Sequence, residues 1–211
     1  MNEKSDEPTN QPSETSQPEA QEQPKYRAVS QEELKQILEA HQQWLESDGM
    51  EGKQADLTRA NLQGANLRET YLRSANLQKA HLGAANLQKA YLGAANLRRA
   101  ILSDANLQEA ILSDANLQEA NLFKADLQGA NLERANLQKA TLWKTNLQGA
   151  NLGDATLQKA DLIEANLQKA ELKHTNLESA EGLTQEQLNG ACGDVNTKLP
   201  PGLSIKPCPE G

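Results

Sequence analysis

A five-residue repeat constrains this chain more than any other feature. From Ala55 to Ser179 a word with the consensus Ala-(Asn/Asp)-Leu-x-x occurs 25 times without interruption, and its third position is Leu in every copy. The first position is Ala in 22 copies and Thr in the other three, at Thr70, Thr145 and Thr175. Self-similarity of this kind is typical of solenoids, whose units stack to share one continuous core. The sequence therefore predicts a rod.

The period of five excludes an amphipathic helix. Leucines five residues apart would rotate by about 140° per word around a helix of 3.6 residues per turn, and so would form no apolar stripe. Within a word, the alternation of Ala, Asn or Asp, and Leu is that of a strand, and two polar residues follow it. Each word therefore predicts a short extended segment that ends in a turn.

The repeated words resemble the motif of the pentapeptide-repeat proteins. The match is carried by words such as Ala-Asn-Leu-Gln-Lys (75–79) and Ala-Asp-Leu-Gln-Gly (125–129), and it covers 125 of the 211 residues. The flanking sequences at 44–49 and 199–203 are similar to those of bacterial members. The resemblance implies an all-β solenoid, a right-handed quadrilateral β-helix of about six coils with four words per coil. Its core would contain the leucines, among them Leu57, Leu62, Leu67, Leu107 and Leu177.

Both flanks of the repeats predict short helices. In the N-terminal flank, Ser30 and Glu33 are placed to form a capping box, and apolar residues then follow helical spacing over 31–48. In the C-terminal flank, Thr184 and Gln187 predict a second capping box at a helix over about 185–191. We expect both helices to cap the rod, because the end coils of a solenoid expose core and unpaired strand edges.

Composition divides the chain into four segments. The first is rich in Glu, Gln, Ser, Thr and Pro, which predicts disorder. The last ends in an extended, Pro-rich stretch. The predicted boundaries are a disordered acidic tail at 1–28, a capping helix and linker at 29–54, the β-helix at 55–180, and a capping helix with an extended tail at 181–211.

Charge and hydropathy indicate where the protein acts. The formal net charge of the chain is −8, but the repeats hold 14 basic and 13 acidic residues, which is a net +1. This weak charge argues against nucleic acid as a partner. The absence of an apolar stretch long enough for a secretory signal or a membrane span predicts a cytoplasmic protein without membrane association.

Two cysteines, Cys192 and Cys208, follow the repeats. The favoured interpretation is a pair of small buried thiols in a reducing cytosol. A disulfide that holds the C-terminal tail is the alternative. Two thiols offer too few ligands nearby for a zinc site.

Catalytic motifs are absent from the sequence. The three histidines, His41, His81 and His174, are far apart, and no nucleophile elbow, phosphate loop or metal-binding run is present. We therefore expect a protein that is not an enzyme and that needs no cofactor.

The faces of the rod that depart from the consensus are the candidates for a binding surface. With four words per coil, Tyr71, Tyr91 and Ile111 stack on one face, and Phe123, Trp143 and Ile163 stack on another. Exposed columns of this kind predict an interface on so polar a rod. Alternatively, the C-terminal tail over 195–211 or a second subunit covers the column that contains Trp143.

A basic column is the second departure. Arg59, Lys79, Arg99, Lys139 and Lys159 follow one another at the fifth position on one face, where Glu119 interrupts them. An acidic partner or nucleic acid is one interpretation. A solvated charged face is the favoured one.

The sequence thus predicts an interaction or scaffold module that binds another protein, with self-association as a further possibility. The resemblance adds a second hypothesis, because some pentapeptide-repeat proteins protect DNA gyrase by mimicking DNA. Two features argue against that hypothesis. Such members often carry Phe at the third position, where this chain has Leu, and a DNA mimic needs a strongly negative rod.

Overall fold

The repeats wind into stacked coils in the structure, a computed structural model that describes residues 26–209. Parallel backbone bridges join the second residue of each word to the second residue of the word one coil later, as in Asp56 with Asn76 and Asn76 with Asn96. Four words therefore make one coil, and each side of the rod carries every fourth word. We number these sides faces 1 to 4, beginning with the words that start at Ala55, Ala60, Ala65 and Thr70.

Three of the five backbone N–H groups in a word bond to a neighbouring coil. The Leu57 N–H donates to the Asn76 carbonyl at 2.7 Å. The Arg59 N–H donates to the Gln78 carbonyl at 2.9 Å, and the Asn76 N–H donates to the Ala55 carbonyl at 2.9 Å. The pattern recurs along the rod, so neighbouring coils pair as in a parallel sheet and lie about 4.8 Å apart.

In most words the other two N–H groups are satisfied within the word or at the turn that ends it. The Ala60 N–H donates to the Leu57 carbonyl at 3.0 Å across a turn whose third residue, Arg59, has a φ of 53°. Positive φ at this turn position is what type II turns require. The Gln108 N–H instead donates to Asn106 Oδ1 at 3.0 Å. Asn and Asp recur at the second position of the word because their short side chains make this local bond.

The first and third positions of the words form the core. Leu57, Leu67 and Leu107 are fully buried, and Leu62 and Leu177 are 3% and 1% exposed. The alanines between them are buried too, apart from Ala65, which is partly buried, because only a small side chain fits beside Leu inside so narrow a coil. Where Thr replaces Ala, its hydroxyl donates a hydrogen bond to a backbone carbonyl, as Thr145 Oγ1 does to the Leu122 carbonyl at 2.7 Å.

A short strand and a helix cover the first coil. β1 (Arg27–Ala28) pairs in parallel with β2 (Ala60–Asn61), and α1 spans Gln31–Glu46. The prediction of a disordered tail over 1–28 is therefore wrong for Arg27 and Ala28. Amino-acid composition does not reveal that two residues pair with a strand edge. Residues 1–25, which carry the rest of that prediction, lie outside the described residues.

The predicted capping box of α1 is only half formed. Ser30 caps the helix, and its Oγ accepts the Glu33 N–H at 3.1 Å. The Glu33 carboxylate pairs with Arg27 instead of the Ser30 N–H. A guanidinium is the stronger donor for a carboxylate, and the strand pairing of β1 brings it within reach.

Helix α1 packs its apolar face against the core. Leu34, Ile37 and Leu38 are half-buried there, and His41 is completely buried. His41 Nδ1 accepts the Ala55 N–H at 3.1 Å, which requires an unprotonated nitrogen. Burial lowers the pKa of His41.

The buried His41 predicts that the protein loses stability in mild acid. Because the pKa of His41 is lower in the folded chain than in the unfolded one, the unfolded chain binds the proton first as the pH falls below about 6.5. We expect the melting temperature to fall between pH 7 and pH 5 by more in the wild type than in His41→Gln, which cannot titrate. Parallel thermal melts that show equal pH dependence would contradict a buried, neutral His41.

An irregular turn of chain closes the other end of the repeats. Glu181 bridges to Asp161 on face 2, Cys192 bridges to Glu171 on face 4, and Lys198 bridges to Asn176 on face 1. Between the first two bridges lies α2 (Gln185–Asn189), which ends two residues before the predicted 191. Its predicted capping box of Thr184 and Gln187 is present.

A disulfide joins Cys192 to Cys208. The favoured prediction of two free thiols is therefore wrong. A bridge between Gly193 and Pro207 folds the tail back on itself and brings the two Cα atoms within 4.6 Å, a pairing that sequence spacing does not reveal. The same segment places Leu199, Leu203 and Ile205 against the core.

Removal of this disulfide is expected to loosen the C-terminal end of the rod. The cysteines are 16 residues apart, and closing a loop of about this length contributes roughly 3 kcal/mol through the unfolded chain. We expect Cys208→Ser to lower the free energy of unfolding by about that amount in a urea titration. Cys192→Ser with Cys208→Ser should add little to the single change. An unchanged midpoint in Cys208→Ser would show that the disulfide does not stabilise the end.

Candidate interaction surfaces

Faces 1 and 3 are uniform and bear ladders of amide side chains. On face 1, Gln138 Nε2 donates to Gln158 Oε1 at 3.0 Å. On face 3, Asn166 Nδ2 donates to Asn146 Oδ1 at 3.0 Å. These amides bond to one another one coil apart, so they stabilise the stack and leave the two faces with few unsatisfied groups.

Face 4 carries the tyrosine column, which consists of Tyr71, Tyr91 and Ile111. These residues occupy the second position of their words, and 53%, 38% and 38% of their surfaces are exposed. The two tyrosine rings stack almost parallel, with centroids 4.7 Å apart. The spacing is that of neighbouring coils, so the backbone pairing sets the stack.

Face 2 carries the tryptophan column, which consists of Phe123, Trp143 and Ile163. These residues occupy the fourth position, on the turn, and the rings of Phe123 and Trp143 lie 5.1 Å apart at 53°. Trp143 is 39% exposed and Ile163 is 44% exposed. Face 2 lies opposite face 4, and the two columns occupy different halves of the rod.

The C-terminal tail does not cover the tryptophan column, so that part of the prediction is wrong. Its backbone pairs with the last coil and with itself, and Ser204 bonds to Gln185 of α2. The apolar residues of the tail pack against the end of the core, where an open coil offers more apolar surface than the side of the rod. Ile163 packs instead beside the backbone of Gly182, which precedes α2.

Lysines accompany the tryptophan column, and the sequence analysis did not single them out. Lys124 Nζ lies 5.1 Å from the Phe123 ring centroid, and Lys144 Nζ lies 5.2 Å from that of Trp143. These distances are within the range of cation–π attraction. Each lysine directly follows its aromatic residue in the sequence, so grouping the fifth positions by face would have revealed them.

Glu119 interrupts the basic column and forms ion pairs with the arginines next to it. Glu119 pairs with Arg99 at 2.6 Å and with Arg98 at 3.1 Å. Hydrogen bonds from these guanidinium groups lower the pKa of Glu119. The other members, Arg59, Lys79, Lys139 and Lys159, form no ion pair within residues 26–209.

The histidines on the rod have separate surroundings. His81 lies between Asn61 and Ile101, and its ring stacks on Tyr26 with centroids 5.0 Å apart. His174 contacts Asp194 at 3.0 Å and Asp154 at 3.6 Å. In the part of the chain that the structure describes, no group of three or more His, Cys, Asp or Glu is arranged to hold a metal ion. None of the helices there is long and apolar enough to cross a membrane.

The fold defines a repeat protein of the β-helix class, and its family follows from the words themselves. The Pentapeptide repeats family matches in 8 copies over residues 53–88, 75–114, 85–122, 115–154 and 145–180. The chain belongs to the pentapeptide-repeat family. Members of this family fold as right-handed quadrilateral β-helices, so the predicted all-β solenoid is confirmed at this level.

Solved structures of other pentapeptide-repeat proteins are similar to the chain. HetL, involved in heterocyst differentiation regulation in Nostoc sp. strain PCC 7120, is 32% identical, with 72% of this chain and 81% of HetL covered and a TM-score of 0.26. Rfr23 from Cyanothece 51142 is 29% identical, with 68% and 90% covered and a TM-score of 0.37. A protein from the Arabidopsis thaliana thylakoid lumen is 23% identical, with 63% and 77% covered and a TM-score of 0.41. No curated protein matches the chain significantly.

Proposed function

We propose that this protein is a non-catalytic interaction module: a rod of about six coils, capped by a helix at each end, that binds another protein through its two apolar columns. One observation carries the proposal. Of the seven exposed large hydrophobic residues within 26–209, five belong to the tyrosine and tryptophan columns. Scattered exposed hydrophobic residues need no explanation, whereas contiguous columns mark interaction sites.

The geometry supports recognition rather than chemistry. The rod is rigid because neighbouring coils are joined by backbone hydrogen bonds along every face. It therefore presents each column already ordered, which reduces the entropy lost on binding. Tyrosine and tryptophan are also the residues that most often dominate the energetics of protein interfaces.

The repeats themselves supply variants that test the proposal without disturbing the fold. Tyr91→Asn and Trp143→Gln restore the consensus at the second and fourth positions, so they remove the middle side chain of each column while keeping the local backbone bonds. In the native host, the amount of each protein cross-linked to the wild type would be compared with the amount cross-linked to each variant. Gln108→Ala on face 3 is the control. We expect at least one protein that is captured by both the wild type and Gln108→Ala to be lost from a column variant.

Two results would contradict the proposed function. If both column variants capture the same proteins as the wild type, the columns are not binding surfaces. If sedimentation shows that the wild type self-associates and the variants do not, the columns join copies of this chain. Thermal melts of each variant would verify that folding is intact.

Protection of DNA gyrase is the alternative hypothesis from the family resemblance. The net +1 charge of the repeats does not support mimicry of DNA. A gyrase supercoiling assay with added protein would test it directly. Supercoiling that is unchanged at micromolar protein would remove this hypothesis.

The cellular location also needs a direct test. A cytoplasmic location is the sequence-based expectation, but the cytosol keeps most thiols reduced and the structure holds a Cys192–Cys208 disulfide. Rapid alkylation of cells of the native host, followed by mass spectrometry, would show whether these cysteines are oxidised in place. Alkylated cysteines would support the cytoplasm, and a protected pair would support an oxidising compartment.

A further inference from the structure

The tryptophan column lies between two rows of lysines. Lys139 and Lys159 end words of face 1, so they stand at the corner just before face 2. Lys124 and Lys144 end words of face 2, so they stand at the corner just after it. All four are exposed, and each occupies the left-handed turn position, with φ between 56° and 59°. The column is thus apolar along its centre and basic along both edges.

Two of the acidic groups near this column are paired with cations. Glu119 pairs with Arg98 and Arg99, and Glu164 pairs with Lys144 at 3.5 Å. Asp161 Oδ1 accepts the Ile163 N–H at 3.0 Å. In contrast, Lys124, Lys139 and Lys159 form no ion pair among residues 26–209. Asp161 is level with the column and also forms no ion pair there, and neither do Asp104 and Glu181, which lie one coil beyond its ends. Three unpaired lysines against one unpaired aspartate leave the unpaired charge level with the column positive.

The tyrosine column lacks this character. Three pairs hold the charges along its edges: Arg68 with Glu69, Lys89 with Glu109, and Arg134 with Asp114. Arg73, on the turn after Tyr71, forms no ion pair among residues 26–209. The two columns have the same length and the same spacing but differ in their unpaired charge. An acidic partner therefore meets three unpaired lysines at the tryptophan column and one unpaired arginine at the tyrosine column.

The spacing of the column favours a helix as its occupant. Its three levels span two coil steps, or about 9.6 Å. Apolar residues one helical turn apart span about 10.8 Å over two turns, whereas alternate residues of a strand span about 13 Å over two steps. A helix that lies along the rod can therefore place apolar side chains at i, i+4 and i+7 near all three levels. A strand in the same direction loses register.

From these observations we propose that the tryptophan column is a docking site for an acidic amphipathic helix of a partner protein. The apolar side chains of the helix contact Phe123, Trp143 and Ile163, and its flanking carboxylates meet the lysines on both edges. This inference rests on the proposed function, since it names the kind of protein that one of the two columns binds. Residues 1–25 of the chain itself are acidic but contain almost no large apolar side chain. Their charge complements the lysines, but they lack side chains that would pack on Phe123, Trp143 and Ile163.

Defined peptides test the proposal. The probe is a labelled helical peptide of about 18 residues, rich in Glu and Ala, with leucines at i, i+4 and i+7. One control peptide has every Glu replaced by Gln, and the other has every Leu replaced by Ser. Fluorescence anisotropy is expected to show binding of the probe alone, with an affinity that falls as salt is raised because the charge pairs are exposed.

Matched variants locate the site. Lys139→Glu with Lys159→Glu should weaken binding of the probe by about tenfold or more. Lys79→Glu is the control, because residues 75–79 and 135–139 are the same word on the same face and Lys79 lies away from the column. Lys79→Glu should leave the affinity within about twofold of the wild type. Trp143→Gln should abolish binding, and thermal melts would confirm that each variant folds.

The results that overturn this inference differ from those that overturn the proposed function. Equal binding of the Gln-substituted peptide, or no binding of any peptide, would reject an acidic partner and leave the columns free to bind another kind of protein. Tighter binding of an oligothymidylate than of the probe would assign the lysines to nucleic acid. Binding of the probe only to a fragment of residues 26–211 would make residues 1–25 the occupant.

Discussion

Leu107→Asp should abolish cooperative folding of the rod. Leu107 is fully buried in a middle coil, with leucines of the neighbouring coils above and below it. Loss of the leucine side chain alone costs about 2–5 kcal/mol. The aspartate adds a buried carboxylate without a partner, which costs several kcal/mol more. The sum rivals the total stability of an ordinary domain, about 5–15 kcal/mol.

The adjacent residue provides the control for this change. Asn106→Asp introduces the same charge one position away, on the outside of the coil, where Asp126 and Asp161 already occur in other words. The introduced carboxylate can still accept the Gln108 N–H. Asp126 bridges to residue 106, so repulsion between the two carboxylates should lower the melting temperature of Asn106→Asp slightly. Circular dichroism melts should still show a cooperative transition for Asn106→Asp and none for Leu107→Asp. A Leu107→Asp melting temperature within a few degrees of the wild type would mean that the third position does not form the core.

Deletion of residues 1–48 should make the rod associate end to end. β1 and α1 are removed, so Ala60 and Asn61 lose their strand partner and the core loses the cover of Leu34, Ile37 and Leu38. An exposed strand edge beside exposed apolar surface is a template for pairing with another chain. Sedimentation of residues 49–211 should give a larger mass per particle than the full chain at the same concentration.

The control deletion for this experiment ends at residue 25. Tyr26 stacks on His81, and Arg27 and Ala28 pair with the first coil, so a cut at 28 would already damage the covering segment. Residues 26–211 should therefore sediment like the full chain. If residues 49–211 also do so, the first coil does not need β1 and α1 to prevent association.

The amino-acid sequence alone was enough to predict the rod, its core and the direction of its side chains. The word is so regular that one residue per position decides whether a side chain points in or out. Consequently, the leucines at the third position, the amides at the second and the members of both columns could all be placed by counting. The family resemblance supplied the number of words per coil, which the bridges between Asp56 and Asn76 and their equivalents bear out.

The ends and the edges of the rod became clear only from the folded chain. The strand pairing of Arg27 and Ala28, the Cys192–Cys208 disulfide and the course of the tail all occur where the repeat stops. Counting along the sequence places lysines beside the tryptophan column, but only the ion pairs between words show which of these lysines are unpaired. Within the repeats, each contact recurs at a constant sequence separation, so the pattern encodes it. Outside them, contacts join residues at unrelated separations, and only the tertiary structure shows which groups meet.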